Sequence, residues 1–370
     1  MIKPTPKSRA RDLGLPVPGI PGKHNAITDV DGVLVGYETL SSHKDPALAI
    51  NGLPVQTGVT AILPRGHGTT PRPVWAGLHV LNGNGEMTGS HWIRDGGYFV
   101  GPILMTNTHS VGAAHEGAVR WMMGVYRNEW ENNHLWAMPV VAETYDGVLN
   151  DINGLHVRPE HALAALANAR SGRPAEGNVG GGAGMICYEF KGGTGTASRL
   201  IDIDGEIYTV GVLVQANHGL RPWLRVLGLP VGERMMEDRI PGLSTERGSI
   251  VAIVATDLPL LPSQLDRVAR RATIGIGRGG TPGGNNSGDI FLAFSTANRM
   301  DLPQLSGPWK TLTSLNDERL DRVYMAAVEA VEEAILNALL AAEDLPTARP
   351  AGSICRAMDP IMLKKCLGIG

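Results

Sequence analysis

Arg247-Gly248-Ser249-Ile250-Val251-Ala252-Ile253-Val254-Ala255-Thr256-Asp257 sets a glycine and a hydroxyl residue directly ahead of an unbroken apolar run. The run reads as a buried β-strand. Taken alone, Gly-Ser before a strand is the ordinary signature of a turn feeding a sheet. The order also suits a chain that cuts itself. Attack of the Ser249 hydroxyl on the Gly248 carbonyl would shift the acyl group to oxygen and leave an ester for water to hydrolyse. The product is a chain beginning at Ser249, carrying a nucleophilic hydroxyl and a free α-amine that can serve as its base. An α-amine has a reference pKa of about 7.7 to 8.0, so a useful fraction is unprotonated near neutrality.

Outward from this stretch, 370 residues suffice for one large domain or two ordinary ones with a substantial core. Apolar residues make up 43% and the formal net charge is −3, which points away from a nucleic-acid surface or an acidic tail. Glycines number 48 while aromatics are only 5%, a composition of tight turns and close backbone approaches. Cys187, Cys355 and Cys366 show no metal-ligand spacing; Cys355 and Cys366 have the option of pairing, but a reducing compartment fits best. Met1 to Asn25 is basic and proline-rich and is expected to drape over the body or a neighbouring subunit. Without a signal-like or membrane-spanning apolar run, the chain is expected to be cytoplasmic.

Ala26 to Gly36 predicts two short strands about Asp31-Gly32. Thr57–Pro64, Val74–Leu81, Tyr98–Met105, Pro139–Glu143, Met185–Phe190 and Asp289–Phe294 read as further strands. Ser198–Ile203 and Glu206–Ala216 flank Asp204-Gly205, the strongest hairpin signal in the chain. Helices are predicted over Ser110–Met123 with Ser110 as cap, Arg158–Arg170, Ser263–Thr273 and Asp317–Glu343, the last opened by Ser314-x-x-Asp317. Leu220 to Gly248 reads as an exposed connection where a cut is tolerated. The glycine-bearing loops are Asn82–Gly89, Gly180–Gly184 and Gly275–Gly288. Runs of strands mixed with runs of helices favour an α+β body of two stacked sheets with helices outside.

Gly275-x-Gly277-x-x-Gly280 imitates a dinucleotide fingerprint, but a helix precedes it where a strand is required. Asp29-Val30-Asp31 imitates a phosphatase pair but lacks the buried apolar strand before it. His218 is a candidate base for Ser249, though the new amine makes it unnecessary. Four polar points sit at strand ends: Tyr145, Asn217, Ser249, and Ser287 with Asp289. Adjacent strands would bring them to one rim, the layout that acyl transfer needs.

His24–Gly36, Thr57–Pro64, Asn82–Gly89, Pro102–Gly112, Glu143–Gly147, Asn217–Gly219, Arg247–Asp257 and Asn285–Asp289 together resemble the self-processing family of DmpA-like L-aminopeptidase/D-esterase/amidases and β-peptidyl aminopeptidases, over essentially the whole chain. The resemblance implies a four-layer α/β/β/α sandwich, like N-terminal-nucleophile hydrolases but differently connected. It implies a single catalytic domain over residues 1–370, cut into an α chain of 1–248 and a β chain of 249–370, and a homotetramer of αβ units. By position, Ser249 is the nucleophile, Asn217 and Tyr145 the oxyanion donors, and Ser287 the hydroxyl that positions or relays a proton for the Ser249 amine. Asp289 orients Ser287 where some relatives carry Glu.

An aminopeptidase also needs a carboxylate for the free amine of its substrate. Glu143, two residues before Tyr145 on an extended segment, is the expected anchor. Trp136 is expected to wall the pocket against bulky side chains. The substrates implied are small peptides, amides or esters with a free N-terminal amine, with no metal or organic cofactor. The rival readings are a self-cleaving acyltransferase resembling ornithine acetyltransferase, which usually carries threonine, and a silent scaffold of the same fold.

Overall fold

The computed structural model describes residues 8–49, 52–243, 245–246 and 248–369. Arg247 and the first seven residues of the arm lie outside these.

Ten strands form two sheets: β1 (Leu34–Ser41), β2 (Gln56–Leu63), β3 (Val74–Val80), β4 (Tyr98–Phe99), β5 (Ile103–Asn107), β6 (Val140–Thr144), β7 (Gly193–Ile203), β8 (Glu206–Asn217), β9 (Ser249–Thr256) and β10 (Ile290–Ser295). One sheet has the order β1-β2-β5-β6, the other β4-β3-β10-β9-β8-β7. Within them the parallel pairs are β5 with β6 and β9 with β10. Each is bridged by a helix, α1 (Val111–Val125) and α3 (Pro262–Arg278), because a parallel pair cannot close through a short turn.

The apolar run of β9 is fully buried because it has cover on both faces. Val251, Ile253 and Ala255 point between the sheets, with Ile62, Met105 and Leu213. Ile250, Ala252 and Val254 point outward to α3 and α4 (Leu320–Leu340). On the other flank, α1 and α2 (Pro159–Ala167) cover the smaller sheet through Ala114, Ala118, Ala162 and Ala165. The result is the expected four-layer α/β/β/α sandwich. Close approach of helix to sheet explains some of the glycine content: a Cβ on Gly195 of β7 would strike the Ala334 carbonyl of α4.

Several local expectations are corrected. Ile27–Asp29 is a 3-10 turn and not a strand, because the Asp29 carboxylate accepts the N–H groups of His24 and Ala26 and the Ser198 hydroxyl. Tyr98–Met105 splits at Gly101-Pro102 into β4 and β5, which belong to different sheets. Met185–Phe190 is a small hairpin, Ile186–Cys187 with Phe190–Lys191, turned by Tyr188 and Glu189 at positive φ. Ser110 makes no side-chain cap, and Asn316, rather than Ser314, caps the turn that enters α4. Gly275 and Gly277 lie inside α3, which removes the dinucleotide reading. Cys187, Cys355 and Cys366 are buried and free.

The described part of the arm drapes over the body of its own chain. Arg9 pairs with the buried Glu176, and Arg11 lies 3.0 Å from Glu333 of α4. The connection 220–248 is not simply exposed either. Arg221 is buried, donates to the carbonyls of Tyr188, Glu189 and Met235, and stacks 3.2 Å over the Phe190 ring. No helix among the described residues is long and apolar enough to cross a membrane.

Candidate active site

Strand direction gathers the polar points. Antiparallel pairing sets Asn217, the last residue of β8, opposite Ser249, the first of β9. Parallel pairing of β9 with β10 brings Ser287, Gly288 and Asp289 to the same end. Tyr145 follows the last residue of β6 in the facing sheet. The bond from Asn217 Nδ2 to the Tyr145 carbonyl, 2.9 Å, ties the two rims together.

Ser249 is buried, and its Oγ accepts the Gly288 N–H at 2.9 Å. Behind it, Asp289 Oδ1 accepts both the Ser287 hydroxyl at 2.5 Å and the Ile250 N–H at 3.0 Å. The shorter carboxylate arm therefore reaches Ser287 directly, and the length of the hydrogen bond is that of a charge-assisted O–H···O⁻ pair. Asn82 Nδ2 approaches the other oxygen at 3.3 Å. Burial raises the Asp289 pKa above the ordinary range, and its hydrogen bonds to Ser287, Ile250 and Asn82 oppose the rise.

The Asn217 amide is held at both ends. Its Oδ1 accepts the Ile186 N–H at 2.7 Å, which leaves one N–H of Nδ2 beyond the bond to Tyr145. A Cβ on Gly248 would be driven into the Asn217 carbonyl oxygen, so glycine is what lets this segment lie on β8. Beside it opens a cleft of about 380 Å³ lined by Tyr145, Asn217, His218, Gly219, Glu246 and Gly248 among others. Tyr145 is 37% exposed there.

Glu143 is buried away from the cleft lining. Its carboxylate accepts the Thr108 hydroxyl and, at 3.0 Å, the Glu86 N–H. Burial raises its pKa, and these hydrogen bonds oppose the rise. It stands behind Gly85, where a Cβ would lie 3.3 Å from Glu143 Oε1 and 3.1 Å from the Gly288 Cα. The glycines of 82–89 thus let that loop close on the rim.

Trp136 does not line this cleft in its own chain. It is 68% exposed, edge-on to His134, and its neighbours Leu135 and Ala137 pack with Met122 and Tyr126. It precedes β6 where Tyr145 follows it, so the length of the strand separates it from the cleft of its own chain.

His218 does not serve Ser249. It is buried against Tyr188, its Nδ1 is 3.7 Å from Cys187 Sγ, and burial lowers its pKa to about 3. Three groups at the rim escaped the reading of the sequence. They are the Gly288 N–H on Ser249, Asn82 on Asp289, and Glu246, whose Oε1 accepts the Gly219 N–H at 2.5 Å. Asp146, beside Tyr145, is wholly buried between Asn107 and Asn150, and burial pushes its pKa up to about 7. Among the described residues no cluster of His, Cys, Asp and Glu forms a metal site.

The sequence profile of peptidase family S58 matches residues 25–351. The chain belongs to that family. It is 52% identical over 350 residues to the β-peptidyl aminopeptidase BapA of Sphingosinicella microcystinivorans, a match that covers 91% of this chain and 86% of the relative. The solved L-aminopeptidase D-Ala-esterase/amidase of Ochrobactrum anthropi superimposes with a TM-score of 0.93 at 53% identity, over 98% of each chain. That protein is described as a prototype of the serine aminopeptidases and a new variant of the Ntn hydrolase fold. The β-aminopeptidase of a Burkholderia species superimposes with a TM-score of 0.86 at 45% identity, again over 98% of each chain. The sandwich is thus an N-terminal-nucleophile hydrolase variant, and the chain is a serine-type peptidase of the S58 family.

Proposed function

We propose that this chain is a self-processing aminopeptidase, amidase and esterase whose nucleophile is Ser249. One observation carries the proposal: a buried Ser249 shares a rim with Asn217, Tyr145 and the Ser287–Asp289 pair, with a glycine immediately before it lying on the Asn217 backbone. Burial of Ser249 favours a cut made by the chain itself, since an external protease needs an exposed, mobile segment.

In maturation, Ser249 Oγ bonds to the Gly248 carbonyl carbon, the C–N bond breaks, and the hydroxyl proton ends on the freed nitrogen. Water then hydrolyses the ester to give chains 1–248 and 249–370. In turnover the α-amine of Ser249 takes the hydroxyl proton as Oγ attacks the carbonyl of the N-terminal residue of the substrate. The same proton passes to the leaving amine or alcohol, and water releases the acyl group by the reverse route.

Asn217 and Tyr145 stabilise the oxyanion, each donor worth about 2.7 to 4 kcal/mol by analogy with other acyl-transfer enzymes. Ser287, oriented by Asp289, positions the amine. Glu143, buried behind Gly85 on the Gly288 side of Ser249 and outside the lining of the cleft, is the group proposed to anchor the free amine of the substrate. The substrates are small peptides, amides and esters with a free N-terminal amine. The mature form is a homotetramer of αβ units in the cytoplasm.

The test is aminopeptidase assay on small amino-acid amides. Wild type turns over and Ser249→Ala does not. Glu143→Gln raises KM at least tenfold while kcat holds, and an unchanged KM would remove Glu143 from the amine site.

A further inference from the structure

Glu246 lies two residues ahead of Gly248 and is buried although the linker before it is largely exposed. Its Oε1 accepts the N–H of Gly219, two residues past Asn217. Its Oε2 is buried against Gly284, at a place that a Cβ on that glycine would occupy. Gly284 opens the turn that leads to Ser287, closed by a bond from the Ser287 N–H to the Gly284 carbonyl. One carboxylate therefore touches the ends of both segments that carry the site.

We propose that Glu246 is a positioning residue for self-processing: its carboxylate clamps the linker between Gly219 and Gly284 and thereby fixes Gly248 on the Asn217 backbone beside Ser249. The inference rests on the self-cleavage proposed above. Because Gly219 and Gly284 both present bare backbone, an acceptor-only group suits the position. A side chain amide would set an NH₂ against one of them.

The titratable groups facing Glu246 are Asp289, Cys187 and Tyr188, with His218 lining the same cleft. Burial holds the thiol, the phenol and the imidazole neutral. Asp289 is the carboxyl that acts on Glu246 directly, and burial raises both; the Glu189 carboxylate and His218, whose pKa burial lowers to about 3, line the same cleft.

The experiment follows the appearance of the Ser249-initiated chain by intact mass after synthesis of full-length wild type, Glu246→Gln and Glu246→Ala, with a melting curve for each. The Gln variant is expected to cut 10- to 100-fold more slowly at neutral pH, and Ala more slowly still. The rate of wild type falls toward acid pH as Glu246 protonates, and that limb weakens in Glu246→Gln, a change that a merely structural residue would not produce. Cutting of the Gln variant at the wild-type rate and pH profile overturns the clamp while leaving self-cleavage standing. An uncut wild type overturns self-cleavage itself. Should the Gln variant fail to fold, Glu246→Asp decides: its shorter arm predicts slow cutting, and wild-type cutting rejects the clamp.

Discussion

Strand β9 carries a hydroxyl residue at each end, and the two ends behave differently. Thr256 is paired with Val210 of β8, and Ser249 with Asn217, in one continuous ladder. The Thr256 hydroxyl donates to the Thr209 carbonyl at 2.7 Å and accepts the Leu258 N–H at 3.1 Å, so it closes the backbone of a turn. The Ser249 hydroxyl accepts the Gly288 N–H, and around it stand side chains fixed in place: Ser287 by the Asp289 carboxylate, and the Asn217 amide between the backbone N–H of Ile186 and the backbone carbonyl of Tyr145. A hydroxyl at a strand end is thus not a site by itself. What distinguishes the Ser249 end is the ring of oriented polar groups around it.

The largest effect should follow from adding one carbon at that end. Gly248→Ala places a methyl in the Asn217 carbonyl, and the account predicts at least a thousandfold loss of cutting by intact mass, while the fold survives by circular dichroism. Asn217→Ala should lower kcat by about 100- to 1,000-fold with KM little changed, as removal of an oxyanion donor does elsewhere.

The next contrast is one of pH. His218 has a folded pKa of about 3 against an ordinary 6.5, so its stabilising contribution is complete above pH 6.5 and is lost as pH falls toward 3. The span corresponds to about 5 kcal/mol at most, since each pKa unit is worth about 1.4 kcal/mol. His218→Gln should flatten the acid side of a plot of stability against pH, and an unchanged plot would show that His218 is not the buried titrating group. The smallest effect on activity belongs to the other end. Thr256→Val should cost about 1 to 3 kcal/mol in denaturant unfolding, from the bonds left unmade, and leave activity per folded molecule within twofold of wild type.

The same contrast explains what could be read from the sequence. Strand β9 was legible because both of its faces are apolar, and the hairpin at Asp204-Gly205 because both turn residues adopt positive φ. The hairpin at Tyr188-Glu189 has the same backbone geometry without a glycine or asparagine to announce it. The division of Tyr98–Met105 between two sheets depends on where the chain goes after Gly101-Pro102, which periodicity does not encode.

At the site, single hydroxyl and amide residues at strand ends gained meaning only through their resemblance to a family, now shown by the family match. That match also sets aside the acyltransferase reading. Asn82 and Glu246 stayed hidden because their partners, Asp289 and Gly219, are brought to them by folding alone. Nearness in sequence to Glu143 is all that points Trp136 at the pocket, and in the fold it precedes β6 and stays outside the cleft lining of its own chain.

The most direct test is intact mass with N-terminal sequencing of purified wild type beside Ser249→Ala. The account predicts that wild type yields two chains, one of them starting at Ser249, and that the variant stays whole and inactive. A wild type that remains one uncut chain and still hydrolyses amino-acid amides would contradict it.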